Sequence, residues 1–103
     1  MVDRDLKALG ARLTRADKLL VKALGHRMEL VRQVGVHKAR NGKRIIRPRV
    51  ERQRLARVRA WARKYGIKNI NCVNAIWYII IAESIRLQID QLQGGKGKHR
   101  PKG

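Results

Sequence analysis

Apolar residues recur at spacings of three and four through most of this chain, and strict alternation is rare, so the pattern predicts helices. Leu6, Leu9, Leu13, Ala16, Leu20, Ala23, Leu30, Val31 and Val34 mark one face of a long helix from about Asp5 to Arg40. Asp3 and Asp5 sit near its start, where the helix dipole favours acids. Asn41-Gly42 supplies the stop. A second helix begins at Pro48, whose fixed φ suits a first helical turn. Leu55, Val58, Ala62 and Tyr65 form its apolar stripe, and Gly66 is its C-cap. Asn69 or Asn71 caps a third helix, which runs to about Gln93 through Val73, Ile76, Trp77, Ile80 and Ile81. The remaining GGKGKHRPKG contains no apolar residue and reads as a flexible basic tail. The expected fold is therefore all-α, with one long helix and two shorter ones over residues 1–93 and a Gly/Lys tail over 94–103.

Such unequal lengths create a packing problem. A helix of about 35 residues spans roughly 50 Å, more than two shorter helices of the same chain cover. The residual apolar seam is expected to meet another chain, and a homodimer is the economical solution.

Several polar residues lie on the apolar stripes rather than opposite them. Arg27 falls between Ala23 and Val31, and Lys38 follows Val34 by four, so the two cations project from nearly one line. Glu51 sits four before Leu55 on the second helix. Ser84 and Gln88 continue the Trp77/Ile80/Ile81 stripe on the third. One such residue is commonly a snorkelling side chain or a satisfied core group. Five of them, from three helices, point to a shared polar cavity for an anionic small molecule.

The order of these segments resembles the all-helical chorismate mutase family. The residues that carry the likeness are Asp17-Lys-Leu-Leu, Arg27-Met-Glu-Leu-Val, Val34-Gly-Val-His-Lys38, Pro48 with Glu51, and Glu83-Ser-Ile-Arg-Leu-Gln88. It covers about residues 6 to 92. The resemblance implies an intertwined dimer with two active sites built from both chains. The family's reaction is the pericyclic rearrangement of chorismate to prephenate, without metal, cofactor or covalent intermediate. The substrate is a dicarboxylate held in a folded shape, and charge separates as its ether bond breaks, so cations and oxygen-directed donors are needed. By the resemblance, Arg27 and Ser84 contact carboxylates, Lys38 and Gln88 donate to the ether oxygen, and Glu51 holds a hydroxyl. Three family positions are altered. Gly10 stands where a first-helix arginine reaches the partner's site, Val50 where a second-helix arginine precedes the glutamate, and Arg47 where an aspartate precedes the proline turn. On that pattern the fold persists while mutase activity is expected to be weak or lost.

Charge changes the picture further. The chain carries 26 Lys and Arg against 7 Asp and Glu, a formal charge of +19 in 103 residues. Self-repulsion of that size favours a polyanionic partner, and nucleic acid is the first candidate. From Arg32 to Lys64 there are thirteen basic residues and one acid, Glu51. Lys43, Arg44, Arg47 and Arg49 crowd the loop and the next helix start. Arg52, Arg59 and Arg63 are expected on one outward face of that helix, flanked by Arg54, Arg57 and Lys64. The tail adds Lys96, Lys98, Arg100 and Lys102. This distribution suits phosphates, with arginine favouring bidentate contacts. Structured RNA, above all ribosomal RNA, is the expected partner, which makes the chain a candidate ribosomal or ribosome-associated protein, with DNA as a related possibility. An active chorismate mutase, or a related isochorismate-acting enzyme, is the competing reading. Trp61 and Tyr65 are expected in core or interface rather than stacked on bases.

Other classes recede. Cys72 is the single cysteine, so no intrachain disulfide forms, and the spacing of His26, His37, His99 and Cys72 matches no metal site. No cofactor is expected. The N-terminus lacks a signal-type apolar core, and the longest apolar run, Ala75 to Ala82, is short for a membrane span. A reduced, cytoplasmic setting without membrane association is the expectation.

Overall fold

The computed structural model describes the backbone of residues 2–97 and the side chains of residues 3–93. Three helices follow one another, α1 (Val2–Arg40), α2 (Pro48–Lys64) and α3 (Ile70–Gly97), with no strand among the described residues. The all-α, one-long-two-shorter architecture is as expected. Two boundaries differ. The first helix starts at Val2 rather than near Asp5, and the third runs to Gly97 rather than about Gln93. Lys96 therefore lies in α3, while Lys98, Arg100 and Lys102 of the expected tail fall outside the described residues.

Cap chemistry sets the inner boundaries. Gly42 and Gly66 are the residues at positive φ, 63° and 84°, a region where a Cβ is penalised. Beyond each, an amide closes a six-residue turn: Lys43 N–H donates to Lys38 C=O at 2.8 Å, and Ile67 N–H to Ala62 C=O at 2.8 Å. Both are Schellman closures, which satisfy carbonyls the helix leaves unpaired. Asn41 adds its side-chain amide to the His37 carbonyl at 2.8 Å. Pro48 occupies the first turn of α2 as predicted. Asn69 is the cap of α3, accepting from the Cys72 amide through Oδ1 at 3.1 Å.

The chain divides into two compact units, Met1–Leu30 and Val31–Gly103. Within the first, Leu6, Leu9, Leu13, Leu19, Leu20 and Val21 are each more than half exposed. The second unit contains the core, in which Val58 and Ala62 of α2 pack with Val73 of α3, joined by Ile70 and Trp77. Leu55 is buried one turn earlier. Tyr65, expected on this stripe, is instead 74% exposed, because it is the α2 C-cap and the backbone turns away there. Trp61 is also exposed.

Arg59 is a second correction. Arg52, Arg59 and Arg63 were expected on one outward face, yet Arg59 is half-buried and its Nε donates to Asn74 Oδ1 at 2.9 Å. It ties α2 to α3. On α3, Arg86 donates to both carboxylate oxygens of Glu83 at 2.8 and 2.6 Å and to Asp90 at 2.6 Å. The Arg86 hydrogen bond holds the Glu83 carboxyl below its usual range.

By length and composition, Ile70–Gln93 is apolar enough to cross a membrane, with a mean hydropathy of 1.3. The eight-residue run understated this because the interruptions are mostly uncharged. Packing helices of water-soluble proteins meet the same criterion. Here Asn74 and Gln88, inside the stretch, hydrogen-bond to α2 and α1.

Candidate functional site

Val31, Gly35 and Lys38 lie at i, i+4 and i+7 on α1, one face of the helix. Gln88 of α3 packs against that face. It is 6% exposed, the buried polar residue of the core. Its Nε2 donates to the Val31 carbonyl at 3.2 Å, and its Oε1 accepts from Lys38 Nζ at 3.3 Å. Gly35 is what lets the side chain come so near, since a Cβ there would stand 3.0 Å from Gln88 Cγ. Lys38 Nζ also donates to the Ile45 carbonyl at 3.0 Å, which pins the α1–α2 loop over the same spot.

A donor count shows what this pair offers. An ammonium has three N–H groups and a carboxamide two. Lys38 uses two among the described residues and Gln88 uses one. One N–H from each remains, on groups already held against each other. Two donors on side chains held together can serve a single oxygen that gains negative charge.

The electrostatics concentrate at Lys38. Burial pulls its pKa below the ordinary 10.5, the charge of Arg47 adds to that, Glu51 opposes it, and Arg54 lowers it further. Lys38, Arg47, Glu51 and Arg54 thus share one electrostatic neighbourhood. Glu51 is half-buried in the first turn of α2, where the helix dipole favours its charge.

Of the five residues expected to share a cavity, four belong to the second unit. Lys38 and Gln88 are in direct contact, and Glu51 acts on Lys38 through its charge. Ser84 lies one turn before Gln88 on α3, with its hydroxyl donating to the Ile80 carbonyl at 2.7 Å. That bond occupies the hydroxyl proton, so Ser84 must change rotamer before it can donate to a carboxylate. Arg27 is half-buried on α1 and belongs to the first unit, Met1–Leu30.

Sequence reasoning passed over Arg54 as a pocket residue. It lies four residues after Val50, and residues four apart share a helix face. No group of His, Cys, Asp and Glu suited to a metal occurs among the described residues.

The expected phosphate-binding residues are mostly exposed: Lys43, Arg44, Arg47, Arg49, Arg52, Arg54, Arg57, Arg63 and Lys64. Lys64 lies over the Tyr65 ring, 5.7 Å from its centroid, a cation–π distance. Arg59, tied to Asn74, is the exception.

No match was found among curated proteins or among solved structures. The model of the family described as chorismate mutase type II matches residues 9–89, a stretch that holds Lys38, Glu51, Ser84 and Gln88, and the chain belongs to that family.

Proposed function

We propose that this chain is a chorismate-mutase-type catalyst that binds a chorismate-like dicarboxylate and promotes its rearrangement to prephenate. The observation that carries the reading is the part-buried Lys38–Gln88 pair, with one N–H left on each. The reaction is unimolecular: the bond from the ether oxygen to the ring breaks as a carbon–carbon bond forms, and no atom is gained or lost. Catalysis then needs only a compact substrate conformer and stabilisation of charge on the departing oxygen. Lys38 and Gln88 meet the second need. By family likeness Glu51 accepts from a substrate hydroxyl, and Arg27 and Ser84 take carboxylates.

A second copy completes the picture. The exposed leucines of the first unit form a continuous apolar stripe that an isolated chain leaves in water. A homodimer covers it, and the exposed apolar residues of α3, Ile76 and Ile79, suit the same packing role rather than a bilayer. Sedimentation equilibrium of the purified chain tests this, with a dimer expected and a monodisperse monomer at micromolar concentration contradicting it.

The test of function is to incubate the chain separately with chorismate and isochorismate and to identify products by chromatography. Prephenate from chorismate is the expected outcome. Pyruvate released from isochorismate assigns the related lyase activity instead, and neither product above the spontaneous rate overturns the proposal.

A second reading is favoured by a separate observation. Lys43, Arg44, Arg49, Arg52, Arg57 and Arg63 are exposed and make no ion pair with the described residues. Uncompensated arginine on this scale suits an RNA phosphate surface in a cytoplasmic or ribosomal setting. Sucrose-gradient sedimentation of cell extract with a high-salt wash tests it. Retention on a ribosomal subunit supports this reading, and recovery only at the top of the gradient removes it.

A further inference from the structure

We infer that Arg47 and Arg54 form a carboxylate clamp beside the Lys38–Gln88 pair. The inference rests on the proposed function and adds two carboxylate-binding residues to Arg27 and Ser84, in place of the arginines that Gly10 and Val50 replace.

The backbone supplies the first argument. Val50, Glu51 and Arg54 are spaced i, i+1 and i+4 at the start of α2, with Val50 and Arg54 on one face, and Arg47 is the N-cap residue immediately before that turn. Val50 and Glu51, in the middle of that set, are half-buried, and Arg47 and Arg54 bracket them in exposed positions. The hydrogen bond from Lys38 Nζ to the Ile45 carbonyl fixes the loop two residues before Arg47. The start of α2 is thereby tied to the lysine that also holds Gln88.

Charge is the second argument. Lys38, Arg47 and Arg54 are three cations facing one anion, Glu51, which leaves a local excess of two positive charges. The Lys38 pKa is lowered first by burial, and the charges of Arg47 and Arg54 add to that while Glu51 opposes it. Like charges assembled beside a partly buried ammonium destabilise it, so the cluster is unfavourable until an anion arrives. A dianion neutralises it, and a dicarboxylate matches the fork geometry of two guanidinium groups.

Hydrogen-bond accounting agrees. Neither Arg47 nor Arg54 has an ion pair or side-chain hydrogen bond among the described residues. Their N–H donors are uncommitted among the described residues, whereas Arg59 of α2 and Arg86 of α3 are each engaged by protein partners. A phosphate backbone also attracts free arginines, but the proximity of both charges to Lys38 favours a small dianion here.

Equilibrium binding of prephenate by calorimetry, alongside chorismate turnover, tests the clamp. Arg47→Gln and Arg54→Gln are each expected to raise the prephenate Kd and the chorismate KM about tenfold, the size of a lost charge-assisted hydrogen bond. Their kcat should change less, because the carboxylates are held in ground and transition states alike. Arg47→Lys and Arg54→Lys should recover part of the loss, and Lys68→Gln, an exposed charge-loss control, should leave both constants unchanged. Prephenate affinity within twofold of wild type in both Gln variants, in a chain that turns over chorismate, overturns the clamp alone. A wild-type chain that neither binds prephenate nor consumes chorismate overturns the clamp together with the reading beneath it.

Discussion

Gly35→Ala separates stability from function in a way that few other substitutions do. The new methyl carbon would lie 3.0 Å from Gln88 Cγ, 3.4 Å from its Cβ and 3.5 Å from its Cα. Carbon atoms rest comfortably at about 3.5–4.0 Å, so Gln88 has to retreat by about 0.5 Å. It retreats from the face of α1 that carries both of its partners. The Lys38 bond starts at 3.3 Å and the Val31 bond at 3.2 Å, so a shift of that size takes both past about 3.5 Å, where little bonding survives. Two hydrogen bonds at about 1 kcal/mol each are at stake, and alanine returns about 1 kcal/mol through helix propensity. The net loss is about 1 kcal/mol, a small change in melting temperature. Turnover responds more steeply, since misplacing a reacting group by about 1 Å costs on the order of 100-fold. Thermal melting and chorismate kinetics on one preparation suffice. A kcat within twofold of wild type, with the melting temperature unchanged or raised, refutes the claim that Gln88 must sit where Gly35 lets it sit.

Other outcomes follow from the same contacts. Two Lys38 N–H groups are committed to Ile45 and Gln88, so only the ammonium has a third for the substrate, and kcat/KM should fall with rising pH at a value below the ordinary 10.5, since its pKa is lowered by burial and by Arg47 and Arg54. The stability contribution of Lys38 has the opposite sign: the unfolded chain holds its proton to higher pH, so this contribution is fully present above 10.5 and is lost as pH falls through the folded value. A pH–rate profile and pH-dependent melting check the two limbs. Arg59→Gln should remove the bond to Asn74 and cost about 1–2 kcal/mol, measured by denaturant unfolding, while leaving turnover nearly unchanged. Gly10→Arg meets nothing within 4 Å at its new Cβ and gains helix propensity of about 0.8 kcal/mol. It should also raise kcat/KM if a first helix serves the partner's pocket, which steady-state kinetics will show.

Much of the fold was legible because its boundaries are local chemistry. Asn41-Gly42, Pro48, Gly66 and Asn69 each specify a cap or first turn from their own geometry, and the structure uses all four. The end of α3 was not legible. Gly94 and Gly95 read as terminators by propensity, yet the helix extends to Gly97. In the site, Lys38 and Gln88 announced themselves as polar residues on apolar stripes, and each proved to be the other's partner. Arg59 was misplaced because helical periodicity orders residues around one axis and says nothing of a polar partner across the interface. Asn74 is that partner. Arg54 was overlooked for a related reason, since its influence on Lys38 depends on how the α1–α2 loop folds back at Ile45.

The central claim is that Lys38 and Gln88 form a two-donor site for the substrate's ether oxygen. It is tested most directly by the kcat of Gln88→Ala against wild type on chorismate, at saturating substrate and neutral pH. The account predicts a fall of about 100- to 1000-fold, the usual consequence of removing one donor from such a site. A variant that retains wild-type kcat, or a wild-type chain that forms no prephenate above the spontaneous rate, contradicts it.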